Sequence, residues 1–151
     1  MNSSLLIDEI IIDLSSKLEY LHLAARFSRE VCHSIGNKEI DSEFINAVEL
    51  VVSEACTNVI RHAGKHYSGR LMLIFQIYQD RLVIKVKDQG EGFDIMQVPD
   101  PDFDEFAEGG YGIFIIRTKM DSVEYQTQGK WNVLTIMKLY HGRIDERGPE
   151  G

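Results

Sequence analysis

Hydrophobic and polar positions change period several times along the chain, and each change marks an element. Residues Leu5 to Leu14 are dense in Ile and Leu and read as a β-strand. Ser16-Lys17-Leu18-Glu19 fits a capping box, in which serine and glutamate reciprocally satisfy free helix N–H groups. The helix so predicted runs to about Ile35, buries Leu18, Leu21, Ala25, Val31 and Ile35, and stops at Gly36-Asn37. Asp41 or Ser42 caps a second, longer helix with an apolar stripe of Phe44, Val48, Val51, Val52, Ala55, Val59 and Ile60, and Gly64 closes it.

Two β-patterned runs follow, Arg70–Tyr78 and Leu82–Lys87, joined so closely that they predict an antiparallel hairpin. Periodicity then disappears from Asp88 to about Gly109, a stretch with Gly90, Gly92, Pro99 and Pro101 that reads as a binding loop or lid. A helix from about Tyr111 to Met120 comes next. A second hairpin, Ser122–Gln128 and Trp131–Tyr140 around Gly129-Lys130, completes the pattern. This order predicts a two-layer α/β (α+β) sandwich, a mixed, mostly antiparallel sheet covered on one face by about three helices. One domain over residues 5–140 and a polar tail over 141–151 are expected.

Composition narrows the function classes. The chain is 44% apolar, yet no apolar run approaches the roughly 18 residues of a membrane span, so no membrane partner is expected. No basic region precedes the first apolar stretch, which makes the cytoplasm the expected location. The net charge is −8 and the basic residues are scattered, which argues against direct nucleic-acid binding. Cys32 and Cys56 sit in helical patterns without a nearby cysteine and are expected as buried thiols. His62 and His66 share a helical spacing, but Gly64 lies between them, so no histidine metal site is expected.

Three segments carry candidate chemistry. On the second helix, Glu54 and Asn58 are four residues apart and share a face, with Arg61 near it one turn later. A carboxylate and a carboxamide can position a hydroxyl and complete the oxygen shell of Mg2+. After the second strand of the first hairpin stands Asp88-Gln89-Gly90-Glu91-Gly92-Phe93. An aspartate there can accept from an exocyclic amine, and glycines let backbone approach a flat ring. Gly109-Gly110-Tyr111-Gly112 opens the third helix, where free N–H groups suit phosphate oxygens. Together the three segments describe one site for ATP or ADP with Mg2+.

The resemblance carried by these segments is specific. ELVVSEACTNVIRHA (residues 49–63) resembles the N box of the GHKL ATPase superfamily, and VKDQGEGFD (86–94) and GGYGIFIIRTKMDSVEY (109–125) resemble its two glycine boxes. The wording of the last two is similar to anti-sigma-factor serine kinases of the RsbW and SpoIIAB type. The resemblance implies a Bergerat-type ATP-binding fold, with Asn58 on Mg2+ and Glu54 as general base toward a serine hydroxyl. It further implies Asp88 on the adenine amine, Gly90, Gly92 and Phe93 around the ring, and Gly109, Gly110, Tyr111 and Gly112 around the phosphates. The implied partners are a sigma factor, a STAS-fold anti-anti-sigma protein and a second copy in a homodimer. One feature departs from the pattern: no Lys or Arg occurs between Lys87 and Arg117, while Glu91, Asp94, Asp100, Asp102, Asp104, Glu105 and Glu108 do. Charge neutralisation at the γ-phosphate is worth orders of magnitude in rate. The alternative expectation is therefore a module that senses ATP or ADP and masks a partner without phosphotransfer.

Overall fold

A computed structural model describes residues 5–62, 69–90 and 111–141 of the chain. Five strands form one sheet: β1 (Leu6–Ser15), β2 (Arg70–Tyr78), β3 (Arg81–Asp88), β4 (Ser122–Gln128) and β5 (Trp131–Leu139). Their spatial order is β1-β2-β3-β5-β4. All four pairs are antiparallel, the limiting form of the mostly antiparallel sheet expected. Among the described residues three α-helices accompany it: α1 (Leu21–Ile35), α2 (Ser42–His62) and α3 (Tyr111–Lys119).

Strict alternation on β2 and β3 decides which sheet face meets the helices. Leu71, Leu73, Phe75, Ile77, Leu82, Ile84 and Val86 are buried, and their neighbours are half-buried or exposed. The buried set packs with Val48, Val51, Val52, Ala55 and Cys56 of α2 and with Ile113 and Ile116 of α3 in one core. Phe75 meets Phe27 of α1 with ring centroids 6.0 Å apart, so α1 reaches the same core.

Three boundaries have identifiable causes. Gly36 ends α1 at φ 71°, in the left-handed region that glycine enters without a Cβ penalty. The expected ambiguity at α2 resolves to Asp41, whose Oδ1 accepts from Phe44 N–H at 2.9 Å. The start of α1 corrects the sequence reading. Ser16 donates its N–H to Gly69 O at 3.0 Å, which prolongs the β1–β2 pairing and takes the residue away from the helix. Its Oγ caps nothing and is buried without a partner. A short 3-10 turn, Leu18–Tyr20, follows, and α1 starts at Leu21 with no side-chain cap. Leu18, expected on the buried face, is 67% exposed as a result. Gly64, the residues from Glu91 to Gly110 and the tail beyond His141 lie outside the described residues.

Candidate functional site

Among the described residues, four of the thirty that are buried are polar, and two of those four, Asn58 and Asp88, lie at the expected site, with a third, Asn132, beside Asp88. Burying polar groups is costly unless they are paired, so this concentration is informative.

α2 positions the first cluster. Its stripe of Val51, Val52, Ala55 and Cys56 faces the core, which leaves Glu54 half-buried and brings Asn58 to 6% exposure one turn on. The Asn58 Nδ2 is shielded from solvent and has no hydrogen-bond partner among the described residues. A buried donor left unmet costs about 1–3 kcal/mol, which a ligand atom would recover. An amide carries one acceptor and one donor end, so Asn58 can offer Oδ1 to a cation and Nδ2 to an anion oxygen. Arg61, three residues further along α2, is exposed.

The start of α3 closes on this cluster. A Cβ built on Gly112 would lie 2.6 Å from Glu54 Oε2 and 3.7 Å from Asn58 Oδ1. Any side chain at position 112 would occupy the space of the Glu54 carboxylate. Gly112 thus permits the helix start and the Glu54-Asn58 face to approach, and it brings the first and third sequence segments together. The positive end of the α3 dipole suits anionic groups there.

Asp88 ends β3 on the helix-covered side, at 5% exposure. Its Oδ1 accepts from Gly90 N–H at 2.9 Å and from Asn132 Nδ2 at 3.1 Å. The same Asn132 Nδ2 donates to Gly90 O at 2.9 Å. Asp88, Gly90 and Asn132 therefore form a closed polar ring. Asn132 was absent from the sequence reading. Its only signal was an asparagine at an inward position of a mostly apolar or β-branched run, and its partner depends on the β3–β5 register, which pairs it with Asp88.

Gly92, Phe93, Gly109 and Gly110 lie outside the described residues, and Tyr111 is described only as the first residue of α3. The residues present fit a Mg2+-nucleotide. Asn58 offers an unmet amide, Gly112 leaves a cradle that a Cβ would fill, and Asp88 is a fixed acceptor. Cys56, between Glu54 and Asn58 in sequence, takes no part. Burial pushes its thiol up to about 12, as it does Cys32, so neither is a nucleophile at neutral pH.

A cavity of about 400 Å3 opens at the other end of α2, lined by Asp41, Glu43, Phe44, Lys119, Asp121 and Lys138 among others. Its polar groups already serve the fold. Asp41 caps α2, Asp121 accepts from Leu139 N–H at 2.8 Å, and Lys138 donates to Lys119 O at 3.0 Å.

Residues 14–138 match the family described as "Histidine kinase-like ATPase domain". The serine-protein kinase RsbW of Bacillus licheniformis is 35% identical over 112 residues, covering 68% of this chain and 70% of the relative. That of Oceanobacillus iheyensis is 31% identical over 142 residues, covering 88% of this chain and 87% of the relative. Among solved structures, the RsbU and RsbW domains of Rv1364c from Mycobacterium tuberculosis align with a TM-score of 0.62 at 14% identity. That alignment covers 87% of this chain but spans only 32% of the larger one. The histidine kinase domain of a blue-light activated kinase from Erythrobacter litoralis aligns at 0.50 and 20% identity over 76% of this chain and 60% of that one. At these identities the solved structures speak for the fold alone.

Proposed function

Because the chain belongs to the histidine kinase-like ATPase family and, within it, to the serine-protein kinases RsbW, we propose that it is an ATP-dependent serine kinase and anti-sigma factor. In this reading residues 5–140 form one ATPase domain. It sequesters a sigma factor and phosphorylates a serine of a STAS-fold antagonist. The observation that carries the reading is the meeting of Glu54, Asn58 and Gly112, three residues from two separated motifs, at one point of the fold.

Each residue has a role in this reading. Asp88 accepts the adenine amine, and Gly90, Gly92 and Phe93 border the ring. Gly109, Gly110, Tyr111 and Gly112 take the phosphates, with Arg61 at the margin. Asn58 holds Mg2+, which supplies charge neutralisation at the β- and γ-phosphates when bound. Glu54 accepts the proton of the incoming serine hydroxyl. The serine oxygen bonds to the γ-phosphorus, the bond to the β-phosphate oxygen breaks, and ADP leaves. A carboxylate in contact with the helix start needs little motion to do this, which is the positioning that phosphoryl transfer depends on.

A homodimer is part of the reading, supported by apolar exposure along the edge strand β1: Leu6, Ile7 and Ile11 are 47%, 63% and 54% exposed. An edge strand with such a surface is a ready pairing site. The cytoplasmic setting is supported only in that no helix among the described residues is long and apolar enough to cross a membrane.

The test is incubation with γ-labelled ATP and a STAS-fold partner. Serine labelling is expected, and Glu54→Ala should slow it by roughly 10²–10⁴-fold, the usual worth of a positioned base, while ATP binding survives. The seven acids from Glu91 to Glu108, in a stretch with no Lys or Arg between Lys87 and Arg117, favour one second reading, a nucleotide-sensing module. Tight ATP binding with no labelling of any partner would establish that reading instead.

A further inference from the structure

The closed ring at the end of β3 asks why an asparagine stands in β5. Asparagine is depleted in strands, and an inward asparagine must be satisfied or it costs stability. Asn132 is 6% exposed and faces the side where Leu134 and Ile136 are buried. An apolar residue would serve the strand better. Its Nδ2 spends both hydrogens on one neighbourhood, on Asp88 Oδ1 at 3.1 Å and on Gly90 O at 2.9 Å. Gly90 N–H adds a second donor to the same Oδ1 at 2.9 Å.

The chemical consequence is selective. Two N–H donors on Oδ1 commit that oxygen to the protein and fix the plane of the carboxylate. The second oxygen, Oδ2, then has one orientation in which to meet a ligand. A carboxylate oxygen fixed as an acceptor attracts a 6-amino group and repels a 6-oxo group. We infer that Asn132 is a positioning residue that sets base specificity, by locking Asp88 and Gly90 into an acceptor that takes 6-aminopurine nucleotides and rejects 6-oxopurine ones. The inference rests on the nucleotide-binding reading above. Asn132 itself touches no ligand atom in this account and acts through Asp88.

The experiment compares ATP with inosine triphosphate, which differs in its base by carrying oxygen in place of the 6-amino group. Affinities for both are measured by calorimetry with Mg2+ on the wild-type chain, Asn132→Ala and Asn132→Ser, with thermal melts alongside. The wild type is expected to prefer ATP. Asn132→Ala should weaken ATP binding by roughly tenfold or more, the scale of a lost hydrogen bond to a charged group, and leave inosine triphosphate nearly unchanged, so that the preference collapses. Asn132→Ser, which keeps one hydroxyl donor, should fall between them and gives the answer if the alanine variant does not fold. Equal loss for both nucleotides, or an unchanged ratio in a folded variant, overturns this assignment alone. A wild-type chain that binds neither nucleotide overturns the nucleotide reading and this assignment with it.

Discussion

The two ends of the site are built on opposite plans. At the end of β3, Asp88, Gly90 and Asn132 satisfy one another in a closed ring before any ligand arrives. Between α2 and α3, Asn58 keeps an amide nitrogen unmet among the described residues, and the Glu54 carboxylate lies close to Gly112. The first plan suits recognition of a flat, rigid base, because a pre-set acceptor loses little entropy on binding. The second suits a group whose charge and coordination change during a reaction, since its polar atoms are completed only by what enters. A satisfied network rigidifies, whereas an unsatisfied buried group stores free energy that binding can release.

The comparison can be broken most forcefully at Gly112. Gly112→Ala would set a methyl 2.6 Å from Glu54 Oε2, too near to coexist. Because that oxygen is the far end of a flexible side chain, the fold can yield by moving Glu54. The expected outcome is an unfolding midpoint no lower than wild type, with serine labelling down by about 100-fold, the scale of a displacement near 1 Å. The ATP to inosine triphosphate ratio should stay as it was. If that ratio also fell, the two ends would not be independent.

A smaller effect is expected at Asn58. Asn58→Leu replaces a buried, unmet amide by an apolar group of similar size and so removes a cost of about 1 kcal/mol or more. The ligand-free protein should melt roughly 2–4 °C higher, while nucleotide affinity loses its dependence on Mg2+. A lower melting temperature would mean that the amide has a structural partner, and the contrast between the ends would fail.

The mildest test uses the thiols as reporters of the layer beneath α2. Burial holds Cys32 and Cys56 at about 12, against 9.0 when exposed, so their neutral forms belong to the folded state. The folded chain then binds more protons than the unfolded one between those values. Stability is full below pH 9 and declines as pH rises from 9 toward 12. At pH 8 a thiol reagent should react with folded protein only through unfolding. Fast labelling of Cys56 at pH 8 would show that α2 opens locally around Asn58.

Much of the fold was legible in the sequence because period speaks directly of burial. The alternation Leu71, Leu73, Phe75, Ile77 is a strand with one covered face, and Val48 to Cys56 is a helix with one buried stripe. The reading failed at Ser16, where a local capping pattern lost to a backbone bond with Gly69, a partner more than fifty residues away. Local rules cannot see such a competitor.

The site divides in the same way. Residue types and spacing, together with the family resemblance of their motifs, singled out Glu54, Asn58, Arg61, Asp88 and Gly112, because a shared helix face or a glycine before a helix is a local property. Register and packing decided the rest. That Asn132 meets Asp88 follows from β3–β5 pairing, and that Gly112 lies against the Glu54 carboxylate follows from how α3 docks on α2. Sequence determined the chemical groups and the faces that carry them. Tertiary structure decided which groups touch, since contact between distant segments depends on a whole core settling at once and no single stretch of chain encodes it.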